Sequence, residues 1–158
     1  MIIVGKATQE PQNRGVDYVE VCLPQYRGVY SREGRFAYAW TFSPDDDAIA
    51  AIRQNLPAWL YLVGEPWFAP LRMRIVGFRH SRQPLHCPEE WRRYCIPSEW
   101  CITRFPDQPR WPPIHLWFLV DRIRPVQPSA DVRDRTRFRP LFGGKYQMYG
   151  RMHFGFFR

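Results

Sequence analysis

The sequence predicts an α+β domain, a curved mixed β-sheet or small barrel with flanking helices, and three observations lead there. Residues Phe36–Phe42 alternate strictly, with Phe36, Tyr38, Trp40 and Phe42 on one side and Ala37, Ala39 and Thr41 on the other. A stretch with helical apolar spacing follows at once. Beyond it come three further strand-like runs, the last after a long loop, with links compatible with antiparallel pairing. At 158 residues the chain fits one core, so residues 1–158 are expected to form a single domain.

Taken in order, Met1–Gly5 is a β-branched run, and Val16–Leu23 is a second strand candidate. Gly15, Pro24 and Gly28 punctuate them. After the aromatic strand, Ser43-Pro44-Asp45-Asp46-Asp47 reads as a helix start. Ser43 is the expected cap, Pro44 suits the first helical position, and the carboxylates favour the positive end of the dipole. Ala48, Ile49, Ile52 and Leu56 form the apolar stripe, and Pro57 stops the helix. Strands are predicted at Ala58–Gly64, Leu71–Arg79 and Ile114–Ile123. Residues 80–113 form an irregular, proline-rich loop with one short helix from Pro88 to Tyr94. Residues 124–158 mix Arg, Gly and aromatics without a clear period.

Charge and composition narrow the partners. Basic residues number 23 against 15 acidic, for a net +8, and only Lys6 and Lys145 are lysines, so 21 are arginine. Arginine's planar fork matches phosphate and stacks on rings, which suits a polyanion. A G+C-rich genome would raise arginine without any such partner. Aromatics make up 16% of the chain, including 7 Trp. Basic and aromatic residues together suggest a surface that takes phosphates and stacks bases.

No apolar run approaches the roughly 20 residues of a membrane helix. Residues 1–30 carry Glu10, Asp17 and Glu20 without a continuous apolar core, so no secretory leader and a cytoplasmic location are expected.

The chemistry-bearing residues give no catalytic signature. His80, His86, Cys87, Cys95 and Cys101 cluster in sequence, yet no C-x2-C or H-x3-H pair occurs, so no metal is expected and the thiols read as buried and free. Asp45–Asp47 and Glu89-Glu90 read as helix starts rather than as ligands for Mg²⁺. No G-x-S-x-G, H-E-x-x-H or P-loop is present, and Gly143-Gly144-Lys145 is too short to cradle a phosphate. The reading is therefore no enzyme and no cofactor.

Arg133, Arg135, Arg137 and Arg139 alternate, and an extended chain would set all four guanidiniums on one side; a solvated edge, partly neutralised by Asp131 and Asp134, explains them as well. Arg72 and Arg74 likewise share a strand face. With Arg79, Arg82 and Lys145, these are the candidate backbone-gripping residues. Trp40, at the end of the aromatic strand, and Trp100 and Trp111, flanking the proline-rich loop, are candidates for stacking a base.

The stretch Phe36-Ala37-Tyr38-Ala39-Trp40-Thr41-Phe42-Ser43, a helix, then Trp59-Leu60-Tyr61-Leu62-Val63, resembles the opening of the PUA-like superfamily, and within it the EVE and YTH domains. Met73–Phe78 is similar to the glycine-containing strand that follows there, and His115–Ile123 to the strand before the basic segment. The resemblance covers residues 36–142. It implies a non-catalytic module that holds a flipped modified base, N6-methyladenine or a modified cytosine, in an aromatic cage. Trp40 and Thr41 would form one wall and Trp100 or Trp111 the other. The implied partner is modified DNA, with RNA second, and an associated or fused restriction effector would act on what is bound. An ASCH- or PUA-type RNA-binding accessory protein is the alternative, and a small metal-dependent nuclease or base hydrolase the third reading.

Overall fold

A computed structural model describes residues 1–6, 23–40, 44–63, 71–96, 114–125 and 154–157. The elements in chain order are β1 (Ile2–Lys6), α1 (Leu23–Glu33), β2 (Arg35–Trp40), α2 (Asp46–Gln54), β3 (Ala58–Val63), β4 (Leu71–His80), a 3-10 helix (Glu89–Tyr94), β5 (Leu116–Pro125) and β6 (Phe154–Phe157). The six strands form one mixed sheet in the order β2-β5-β4-β3-β1-β6. Only β1 with β3 is parallel, and the other neighbours are antiparallel. The sheet is open, with β2 and β6 as its edges, so the α+β expectation holds and the small-barrel form of it does not.

Two residues interrupt the β4–β5 ladder. Arg72 pairs with Arg124 and Arg74 with Asp121, so β5 holds one extra residue between these pairs. Arg122 lies there with φ 51, the positive value that a bulge admits. Ile75 pairs with Val120 and Gly77 with Leu119, so β4 holds the extra residue Val76.

One side of the sheet carries the main core. Tyr26 of α1 packs on Phe36 (centroids 4.6 Å apart) and edge-on to Tyr38 (5.5 Å). α2 buries Ala48, Ile49 and Ile52, and Arg53 stands over Phe78, which pairs with Phe118. Ile3, Leu60, Met73 and Ile75 complete this layer. Each such buried side chain contributes roughly 1.5–3 kcal/mol.

Helix α1 replaces the end of the predicted Val16–Leu23 strand; the rest of that segment lies outside the described residues. Pro24 and Gly28 read as breakers, but Pro24 falls in the first turn, where its missing N–H costs nothing. Tyr26 and Val29 then recur at helical spacing and are buried. Gly34 ends the helix at φ 71, its N–H donating to the Tyr30 carbonyl (2.8 Å). The cap of α2 is Asp45, whose Oδ1 accepts from the Ala48 N–H at 3.0 Å, and not Ser43, which lies outside the described residues. Asn55 ends α2 two residues before Pro57, through bonds to Ala51 and Ile52 carbonyls. The 3-10 helix lies where a short helix is predicted, while β6 falls in a tail where no strand is.

Candidate nucleic-acid interface

The second side of the sheet is divided in two. Residues 81–96 cover its upper half, pinned by Ser81 N–H to the His115 carbonyl (3.0 Å) and Leu85 N–H to the Ile114 carbonyl (2.8 Å). Trp117 is fully buried beneath them and donates from Nε1 to the Leu85 carbonyl at 2.9 Å. Trp91 of the 3-10 helix lies against Gly77, where a Cβ would meet its Cζ2 at 3.2 Å. This close approach is why the position takes glycine.

The lower half bears a different population. Pairing sets side chains of partnered residues on the same side, so one row runs Trp59, Arg74, Asp121, Arg35 across β3, β4, β5 and β2. The next row runs Tyr61, Arg72, Arg124. Trp59, Tyr61, Arg72 and Arg74 are half-buried, and Arg35 and Arg124 exposed. The Arg72 guanidinium stands 4.4 Å from the Trp59 ring centroid. Arg74 grips Asp121 through both arms of its fork, Nε to Oδ1 at 2.8 Å and Nη2 to Oδ2 at 2.7 Å. These bonds hold the Arg74 guanidinium above its ordinary pKa, burial opposing them. The pair's side chains are 25% and 15% exposed, against 53% and 56% for Arg79–Glu90, so the Arg74–Asp121 pair is the better shielded of the two.

The other predicted residues fall elsewhere. Trp40 closes β2 with its backbone opposite Leu116, which also pairs with His80. His80 lies eight positions along β4 from Arg72, about 25 Å at strand rise, so Trp40 and the Arg72 row stand at opposite ends of the sheet. Arg79 lies over Trp91 (5.0 Å) and pairs with Glu90. Arg82 pairs with Asp46 at 2.6 Å beside α2. Thr41, Trp100, Trp111, Arg133, Arg135, Arg137, Arg139 and Lys145 lie outside the described residues.

Part of the arginine excess has a structural use. Arg35 and Arg93 stand 5.6 and 4.8 Å from the Tyr94 ring, and Arg53 stands 6.0 Å from Phe78. Sequence pattern alone does not single out Trp59 and Tyr61, because a strand with apolar neighbours reads as core. Their odd-numbered parity is the available signal, since Leu60 fills the opposite side and is buried.

Among the described residues, no three His, Cys, Asp or Glu side chains come together as a metal ion would need. Cys87 and Cys95 are buried free thiols; Cys95 donates to Cys87 Sγ at 2.6 Å. That contact, then burial, pushes the Cys87 thiol far above its ordinary range. No helix among the described residues is long and apolar enough to cross a membrane. The chain matches no known protein family, no curated protein and no solved structure.

Proposed function

We propose that the chain is a non-catalytic nucleic-acid-binding module whose contact surface includes the lower half of the sheet's second side. The observation that carries this reading is Arg72 stacked on Trp59, with Tyr61 and Arg124 beside them in register. Arginine forks take phosphate while aromatic faces take bases, and here both stand on strands of one sheet. The net +8 adds a long-range attraction for a polyanion.

The finer form of the reading rests on the resemblance to EVE and YTH domains. In that form one modified base, in DNA first and RNA second, is extruded into a cage of Trp40, Thr41 and Trp100 or Trp111. The arginines then grip the backbone, and a restriction effector acts on the bound strand. PUA-like architecture belongs to the same proposal.

Fluorescence anisotropy with labelled DNA and RNA, plain and methylated, over a salt series tests both forms. Saturable binding is expected, with log K falling linearly against log salt by about 0.7–0.9 per phosphate contact. One buried methyl contributes about 0.8 kcal/mol, and easier extrusion adds to it, so a preference of about three- to thirtyfold for modified base is expected. Equal affinity for plain and modified oligonucleotides overturns the finer form alone. No binding at low salt overturns the whole.

A further inference from the structure

We infer that Arg72 and Arg124 form a seat for one phosphate of a single-stranded nucleic acid lying across β3, β4 and β5. The inference rests on the nucleic-acid reading above and names its strandedness and its anchoring pair.

Arg72 and Arg124 are direct cross-strand partners. Like charges in that relation repel, and sheets ordinarily set an opposite charge or a neutral side chain there. The carboxylate that could relieve them, Asp121, is already held by both arms of Arg74. Among the described residues neither Arg72 nor Arg124 has a carboxylate partner. Arg72 and Arg124 rise from paired positions on one side of the sheet, and their long side chains can bring two forks to the oxygens of one phosphate lying above β4. Trp59 adds preorganisation: with its ring 4.4 Å from the Arg72 guanidinium, it holds that fork over the sheet rather than free in solvent.

The surroundings choose between one strand and two. The Arg72 guanidinium lying over Trp59, with Tyr61 beside it in register, makes a planar stack that only unpaired bases can extend. The open part is bounded on one side, where Trp91 and the rest of residues 81–96 stand on the same side of the sheet above it. A stiff duplex laid there meets arginines with phosphates alone and leaves the rings unused. A flexible strand can place a phosphate between Arg72 and Arg124 and turn its neighbouring bases onto the rings.

The test uses the full chain and fluorescein-labelled oligonucleotides of about twelve nucleotides, as single-stranded DNA, single-stranded RNA and the matched duplex. Single strands are expected to bind at least tenfold more tightly than duplex. Because the two arginines share one phosphate, either alone still neutralises it. Arg72→Gln and Arg124→Gln should therefore each weaken binding with little change in the salt slope, and the double variant should lower the slope by about 0.7. Arg27→Gln removes the same charge from an exposed position on α1, across the sheet, and should leave affinity for single strands within twofold. Thermal melting accompanies each variant, and exposed Arg124→Gln, which relieves a repulsion, should melt no lower than wild type. A double variant that lowers the slope by about 1.4, variants that bind like wild type, or a preference for duplex overturns this inference while the nucleic-acid reading stands. Failure of all three oligonucleotides to bind overturns both.

Discussion

Gly77→Val offers a sign test of the packing between the 3-10 helix and the sheet. On an unobstructed strand, valine in place of glycine gains roughly 1 kcal/mol from its β preference and the entropy glycine loses on folding. At Gly77 a Cβ would sit 3.2 Å from Trp91 Cζ2, 3.6 Å from its Cη2 and 3.7 Å from the Leu119 Cβ. Valine adds two methyl groups beyond that Cβ, so the indole must move. Overpacking costs about 1–3 kcal/mol. With two methyl groups to place against the indole, the cost falls in the upper part of that range, about 2–3 kcal/mol. The expected balance is a loss of about 1–2 kcal/mol against wild type.

The same substitution in a Trp91→Ala background has room, and there valine should recover its gain. The two changes are therefore coupled by roughly 2–3 kcal/mol, within the range for residues in direct contact. Urea unfolding reads both. With a slope of about 1–3 kcal/mol per molar, Gly77→Val alone should lower the midpoint by roughly 0.5–1 M. Trp91→Ala itself costs about 3–5 kcal/mol, and Trp91→Leu serves if that unfolds the domain. A higher midpoint for Gly77→Val in wild type, or the same shift in both backgrounds, refutes the contact.

Two further outcomes concern α2 and its neighbour. Asp45→Ala removes the acceptor for the Ala48 N–H and should cost about 1 kcal/mol by thermal melting, with Asp45→Asn keeping most of it. His80 is held below its usual pKa by burial, then by His115, with Arg82 and Arg53 adding and Asp46 opposing. Its neutral form therefore favours the fold: the contribution is full above about pH 6.5 and is lost as pH falls through the lower folded value. Between pH 7 and 5, wild type should lose more stability than His80→Gln, and parallel curves would reject this account.

Much of the sheet was legible from local pattern. Phe36–Trp40 announces itself by alternation, and β3, β4 and β5 by β-branched and aromatic runs between prolines. Helix α1 was not legible, because Pro24 and Gly28 look like breakers until their positions within the helix are known. Tyr26 and Val29 reveal the helix only once Phe36 and Tyr38 stand opposite them. For the candidate interface, period two correctly put Arg72 and Arg74 on one side. It could not show that Asp121, 47 residues later, occupies Arg74 and leaves Arg72 with a ring. Nor could it bring Trp59 and Tyr61 alongside, since that depends on the β3–β4 register.

That occupancy of Arg74 depends on the extra residues Arg122 and Val76. Carried without interruption from Arg72–Arg124 toward Gly77–Leu119, the ladder would set Arg74 opposite Arg122 and Ile75 opposite Asp121. A second arginine pair would then adjoin the first, and a carboxylate would stand beside Ile75 on the side that the helices cover. Arg122 acts as a frameshift in β5 and Val76 as its reversal in β4. The two-residue window between them is out of phase with both flanks. Within that window the strands exchange a repulsion for a bidentate ion pair and set Val120 beside Ile75, while the pairs on either side keep their original phase.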